Sequence, residues 1–349
     1  MAATRRLVLL FGGRSAEHDV SCVTAAHVLA AADASRYDVV PVGIDRQGRW
    51  VRAEAAPGRL TAEGPAVQPA DVLGEPDTVA FPVLHGPFGE DGTAQGLLEM
   101  MGVPYVGTGV LGSALCMDKA MAKDAAAAHG IRQVRHLAFR DVDLEGDLDG
   151  IMGRAAEHLS LPVFVKPANL GSSVGVTRAT DVGELAAAVK LALGYDEWVV
   201  VEEAVTAREI ECGVLGYGRL RASVPGEIRP SHDFYDYDDK YADGAADLLV
   251  PAPLPPEVTE EVRRLAVTAA TALRVDGMAR VDFFYEEQGR GLLLNEINTI
   301  PGFTPISMYP KMWAATGVPY GRLIDELVDA GLARHRNRAE RYGRSRTLG

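Results

Sequence analysis

Residues 7–11 are an uninterrupted apolar run ended by Gly12 and Gly13, a pattern that predicts a buried parallel strand feeding a loop. Residues 20–32 continue as a helix, so the chain opens as a strand–helix unit. With further strands predicted at 38–44 and 79–84, the first ~110 residues read as one α/β domain. Residues 55–72, rich in Ala, Pro and Gly, read as a loop or short excursion. The Ala-rich stretch 113–129, closed by Gly130, predicts one helix with a glycine past its end, and the domain changes there. A helix to Leu159, a strand at 162–166, a Gly/Ser loop, a helix at 182–193 and a strand at 198–203 then form a second, α+β unit. From Leu215 the pattern changes again: strand-like segments, a polar and aromatic stretch at 231–246, a helix at 256–273 and two more strands. A loop of that length inside a compact domain is functional or mobile. The resulting division is 1–120, 121–214 and 215–349.

The two last strands carry the most chemistry. ARVDFFY and GLLLNEIN are separated by residues 286–290, which predicts a hairpin. Side chains alternate along a strand, so Arg280 shares a face with Asp282, and Glu296 with Asn298. A hairpin centred near Gly289 sets Asp282 opposite Glu296 and Arg280 opposite Asn298. Carboxylates crowded beside apolar sequence need compensation, and Asp, Glu and Asn oxygens suit a hard cation such as Mg²⁺. An Arg–carboxylate network on a solvated sheet face is the competing reading of the same residues.

Other segments are weaker alone. In PVFVKPANLGSSVG a strand ends at Lys166 and enters a loop holding Ser172, where glycines and hydroxyls suit a phosphate, although such turns are commonly structural. Residues 107–112 match GxGxxG, but the nearest acid, Asp124, sits inside the Ala-rich helix, so a tight interdomain turn is preferred to a dinucleotide site. His85 ends a strand before GPFGEDG and is either a site residue or turn chemistry. Glu17 in GGRSAEHDVS lies where the first strand meets its helix, the usual ligand crevice of an open α/β sheet, or is an ordinary polar helix start.

Composition narrows the partners. With 47% hydrophobic and 24% charged residues the chain is an ordinary globular protein. Its net charge of −13 disfavours nucleic acid, the more so because 333–349 hold six arginines against one glutamate, leaving −18 on the rest. That tail reads as a solvated or frayed terminus. Cys22, Cys116 and Cys212 are widely spaced, without a disulfide or thiolate–metal pattern, which fits a reducing cytoplasm. The apolar run near the N-terminus is too short for a membrane span or a signal core, so no membrane association is expected.

Together, GGRSAEHDVS, LHGPFGEDGT, MDKAMAK, VKPANLGSSVGV, VEEAVTAREIE, YDYDDKY and NEINTIPGFTPISMYP resemble, in order and from Leu7 to Leu327, the D-alanine:D-alanine ligases of the ATP-grasp superfamily. The resemblance implies an ATP-grasp fold of mixed α/β and α+β character, in three domains with an N-terminal open α/β sheet. It implies ATP held by Lys119, Lys166, Ser172, Glu202 and Glu209, with Lys240 joining from the mobile loop 231–246. Two Mg²⁺ ions, replaceable by Mn²⁺, would be held by Asp282, Glu296 and Asn298. Arg280 and the backbone N–H of Gly302 would stabilise an oxyanion, Glu17 would hold the first D-alanine, and His85, Ser307 and Met308 would bind the second. Glu17, Ser172 and Tyr241 would form a hydrogen-bonded triad. A homodimer and a role in peptidoglycan precursor synthesis are further expectations, with D-alanine:D-lactate or D-alanine:D-serine ligation as the alternative activity. A chain at −13 can still bind one nucleotide if its positive groups gather at the phosphates.

Overall fold

The structure is a computed structural model that describes residues 4–54, 60–229 and 247–341. Among these residues the strands form three sheets. In the first, β1 (Arg5–Gly12) lies between β2 (Tyr37–Ile44) and β4 (Thr78–Pro82), parallel to both, and β3 (Trp50–Arg52) is antiparallel at the edge. Residues 7–11 are fully buried because both faces of this sheet are covered, hence the continuous apolar run. Three helices belong to this part of the chain: α1 (His18–Ala31), α2 (Pro69–Leu73) and α3 (Thr93–Met100).

The Ala-rich segment is two helices, not the single one predicted: α4 (Val110–Met117) and α5 (Lys119–Ala128). Asp118 breaks it by adopting extended backbone and accepting the Met121 N–H on its side chain at 3.0 Å. The break lets the Lys119 N–H donate to Ala168 O at 3.0 Å, which fastens the start of α5 to the next sheet.

That second sheet has the order β5-β8-β6-β7, formed by β5 (His136–Arg140), β6 (Val163–Pro167), β7 (Thr177–Ala179) and β8 (Trp198–Glu203), backed by α6 (Leu148–Leu159) and α7 (Val182–Ala192). The third, antiparallel throughout, has the order β11-β10-β9-β12-β13. Its strands are β9 (Arg208–Gly216), β10 (Arg221–Arg229), β11 (Asp247–Leu249), β12 (Gly277–Glu286) and β13 (Gly291–Asn298), with α8 (Pro256–Ala272) packed on it. Strand β9 crosses position 214 and pairs with β12 from Arg208 to Gly216, so the third sheet begins at Arg208.

The last described helices are α9 (Met308–Ala315) and α10 (Tyr320–Ala339), and α10 returns to the first sheet: Leu323, Ile324 and Leu327 join Leu7, Leu9 and Phe11 in one core. The expectation of a frayed arginine tail is therefore corrected over its described part. Arg334 is only 2% exposed, donates to Tyr105 O at 2.8 Å and to Gly107 O, and stacks 4.1 Å from the Tyr105 ring. Arg338 pairs with Glu99. A count of charges could not show that the acceptors are backbone carbonyls more than 200 residues away.

The GxGxxG segment runs into α4 at Val110, and its first residues are tied to the chain just before β12. Thr108 Oγ1 donates to Asp276 O at 2.8 Å, and Gly277, at φ +74°, lies so close that a Cβ there would meet Gly107 O at 2.8 Å. Gly277→Ala is expected to destabilise the protein by about 1–3 kcal/mol, because left-handed backbone and backbone contact oppose the methyl together. Urea unfolding of the variant beside the parent measures it. No helix among the described residues is long and apolar enough to cross a membrane.

Candidate active site

Strands β12 and β13 form the anticipated hairpin, with Asp282 opposite Glu296 and Arg280 opposite Asn298. A bulge follows, since Phe283 pairs with Leu294 and leaves Asn295 as the extra residue. Arg280 forks onto Asp282, Nε to Oδ1 at 2.8 Å and Nη2 to Oδ2 at 2.7 Å, and its Nε lies 3.1 Å from Glu211 Oε1. Burial opposes the guanidinium charge, but Asp282 and Glu211 outweigh it and hold Arg280 well above its usual value. Asn298 Nδ2 donates to Asp282 Oδ2 at 2.9 Å. Glu211, which comes from β9, was not anticipated from sequence, yet it pairs across the sheet with Asp282.

The second and third sheets face each other across a cavity of about 500 Å³, lined among others by Lys119, Lys166, Ser172, Glu209, Arg280 and Glu296. Lys119 Nζ donates to Leu170 O at 2.6 Å and lies 3.7 Å from Glu296 Oε2. Lys166 Nζ is 2.7 Å from Glu202 Oε2 and 3.5 Å from the bulged Asn295 Oδ1. Glu202, expected at the adenine or ribose, is here the anion between two lysines, Lys166 and Lys123, the latter at 2.9 Å. Its carboxyl is pushed up by burial, but Lys123 and Lys166 reverse this and hold it far below the usual carboxylate range. Asp282 also lines the cavity, so the anticipated phosphate, nucleotide and metal groups come together, with Asn298 joined through Asp282.

The donor set fits Mg²⁺ in kind. Asp282 and Glu296 offer facing carboxylates, and Asn298 gives its amide N–H to Asp282, which leaves its oxygen turned away from that contact. Among the described residues no group of three or more His, Cys, Asp or Glu is placed to hold a metal, so the amide is needed as third donor.

The anticipated substrate residues do not line this cavity themselves, but Glu17 and Met308 touch residues that do. Glu17, next to α1, accepts a hydrogen bond from Ser172 Oγ at 2.5 Å across 155 residues of sequence. Ser172 and Ser173 both hold left-handed backbone, φ 50° and 57°, a conformation costly for serine that turns the loop toward Glu17. Tyr241, the third member of the anticipated triad, and Lys240 lie outside the described residues, as does the loop 231–246. Gly302 and Ser307 follow β13, where Ser307 Oγ bonds Thr304 Oγ1 at 2.8 Å and a Cβ on Gly302 would lie 3.2 Å from Ser307 Oγ. Met308 is buried in an apolar cluster with Ile228 and Met312.

His85 is 4% exposed, with Nδ1 3.0 Å from Ile300 O and 3.5 Å from Glu90 Oε1. Burial disfavours its charge, but the Glu90 carboxylate, assisted by Glu17, outweighs burial and raises its pKa. Glu90→Gln removes the largest opposing influence, so the His85 titration midpoint is expected to fall relative to the parent; imidazole NMR across pH reads the shift directly.

The layered sheets and the lysine-lined cleft between them define an ATP-grasp protein. Residues 6–108 match the family model of the D-ala D-ala ligase N-terminus and residues 126–329 that of the D-ala D-ala ligase C-terminus. The chain belongs to the D-alanine–D-alanine ligase family. It is 45% identical over 358 residues to the D-alanine–D-alanine ligase of Thermoanaerobacter pseudethanolicus, covering 97% of this chain and 99% of that one. Among solved structures, the VanG D-Ala:D-Ser ligase of Enterococcus faecalis is similar at TM-score 0.81 and 32% identity, covering 94% of this chain and 100% of that one. The D-alanine–D-alanine ligase of Bacillus anthracis complexed with ATP is similar at TM-score 0.76 and 27% identity, covering 96% and 100%.

Proposed function

We propose that this protein joins two D-alanines into D-alanyl-D-alanine at the expense of ATP, supplying a precursor of peptidoglycan. The observation that carries this reading is the cavity in which Lys119 of α5 and Lys166 of the second sheet face Arg280, Asp282 and Glu296 of the third. Family membership, at 45% identity over nearly the whole chain to a D-alanine–D-alanine ligase, gives the substrates. The D-serine and D-lactate alternatives are not favoured, since the relative at 45% identity over nearly the whole chain is a D-alanine–D-alanine ligase.

In this reading Lys119 and Lys166, with Lys240, hold the ATP phosphates, Ser172 covers them, and Glu202 and Glu209 take the adenine and ribose. Glu17 holds the ammonium of the first D-alanine, whose carboxylate oxygen attacks the γ-phosphorus and forms an acyl phosphate and ADP. The amine of the second D-alanine, bound by Ser307 with His85 and Met308 nearby, attacks the acyl carbon. The tetrahedral oxyanion is stabilised by Arg280 and the Gly302 N–H, and its collapse releases phosphate. Asp282, Glu296 and Asn298 would hold two Mg²⁺ ions, or Mn²⁺ in their place, which when bound neutralise charge on the transferring phosphoryl group. Positioning and electrostatics account for most of this catalysis, and the Glu17–Ser172 contact with Tyr241 keeps water from the acyl phosphate.

The three domains of this reading are 1–120, 121–214 and 215–349, with β9, from Arg208 to Gly216, carrying the chain across the second boundary into the third sheet. The protein works in the cytoplasm as a homodimer, an assembly that light scattering of the purified protein tests. For the activity, phosphate release is measured with ATP and Mg²⁺, first with D-alanine alone and then with D-lactate or D-serine added. One phosphate per dipeptide is expected on D-alanine alone. No turnover there would overturn the assignment.

A further inference from the structure

Lys123 sits one helical turn after Lys119 on α5, so both ammonium groups face the second sheet, but only Lys119 lines the cavity. Lys123 is 3% exposed and lies behind the cavity wall. Its Nζ is 2.9 Å from Glu202 Oε1, in an ion pair whose angles fall outside hydrogen-bond geometry. The other oxygen of Glu202, Oε2, is 2.7 Å from Lys166 Nζ. This arrangement follows from strand register: Glu202 of β8 is opposite Phe164 of β6, and Lys166, two residues further along β6, shares their face. One carboxylate thus holds two ammonium groups, and it can release one without being left uncompensated.

A buried lysine is expensive. Burial, the largest influence, lowers the Lys123 pKa, and Lys166 adds to this, while Glu202 opposes it. An apolar side chain would serve the Ala-rich helix α5 at lower cost, and a charge kept in such a place needs a task. The cavity supplies one. Lys166 faces the space where the proposed function puts the nucleotide, and an anionic ligand competes with Glu202 for it. Were Lys166 the sole partner of Glu202, ligand binding would leave a carboxylate that is 2% exposed without a counter-charge, because adenine and ribose offer it hydrogen bonds but no positive charge.

We infer that Lys123 is a positioning residue for nucleotide binding: it is the resident counter-ion that keeps Glu202 fixed and compensated while Lys166 turns to the nucleotide. The inference rests on the ATP-dependent reading given above. It makes the three residues an exchange relay, with Lys166 shared between Glu202 and ligand and Lys123 permanently on Glu202. Lys123 touches no reacting atom, so its loss is felt in binding rather than in chemistry.

The test compares Lys123→Met, Lys123→Arg, Glu202→Gln and the double variant Lys123→Met/Glu202→Gln with the parent. KM for ATP and kcat are taken from phosphate release, and ADP affinity from calorimetry. Lys123→Met is expected to raise KM for ATP and weaken ADP about tenfold, with kcat within about threefold, and Lys123→Arg is expected to restore most of the affinity. In the Glu202→Gln background the Lys123→Met change should add less than about twofold, because no anion remains to be compensated. A change in kcat with unchanged KM, or effects that simply add in the double variant, would overturn the inference. Thermal unfolding checks each variant, and Lys123→Gln carries the same test should Lys123→Met not fold. A parent that binds ADP but releases no phosphate with D-alanine would sink the ligase assignment alone, leaving the ADP titrations to judge Lys123.

Discussion

Arg280→Lys is expected to lower kcat about 10²–10³-fold while KM for ATP moves by less than about threefold. The guanidinium is held by a two-point fork on Asp282 and by Glu211, so its remaining donors are aimed by the sheet rather than by a flexible stem. Lysine keeps the charge but has no fork. It can satisfy Asp282 or reach an oxyanion, but not both in fixed geometry. In the proposed function the interaction is made with charge that develops only during attack on the acyl carbon, so its loss falls on kcat. Arg280→Met is the poorer experiment, since it strips the compensation from Asp282 and Glu211 and mixes folding with catalysis. Phosphate release with ATP and D-alanine varied separately decides the matter. A variant with parental kcat and a raised KM for ATP would move Arg280 from the carbonyl to the nucleotide.

The sequence made the hairpin face legible because alternation along two strands and the length of one turn determine which side chains meet, and Asp282–Glu296 and Arg280–Asn298 are indeed the facing pairs. The bulge at Asn295 was not legible. Asn295 sits where the strand passes from the apolar run 292–294 to polar Glu296, and such a junction looks the same with or without an extra residue. Lys123 stayed hidden for a related reason, since a lysine on an Ala-rich helix looks solvated until the sheet beneath it is placed. Asp118 broke a helix that composition alone would carry through, because a capping side chain and a backbone bond to Ala168 outweigh the propensity of its neighbours. Contacts between distant segments, such as Glu17 with Ser172 or Arg334 with the Tyr105 and Gly107 carbonyls, depend on how the sheets are stacked. Local pattern cannot supply that stacking. Only the family resemblance brought Glu17 and Ser172 together in advance, and it said nothing of Arg334.

Glu296→Gln is expected to lower turnover by about three orders of magnitude with the fold retained. The two carboxylates of the hairpin are not equivalent in this structure. Asp282 accepts two N–H bonds from Arg280 and one from Asn298, so it is tied to its own sheet, and replacing it would disturb Arg280 as well. Glu296, with 29% of its side chain exposed and Lys119 3.7 Å away, faces the cavity from the opposite strand. The Lys119 contact is long enough that its loss should cost no more than about 1 kcal/mol. An amide in place of Glu296 keeps the shape and one oxygen donor but removes a negative charge from a site that, in the proposed function, holds cations beside phosphate. The loss should therefore be partly recovered by raising Mg²⁺, which an error in folding or in nucleotide contact would not allow. Phosphate release measured across a Mg²⁺ series, with thermal unfolding of the same preparation, separates these cases. Parental turnover with an unchanged Mg²⁺ dependence in a folded Glu296→Gln would leave the facing carboxylates as a structural network around Arg280, the competing reading of the same four residues.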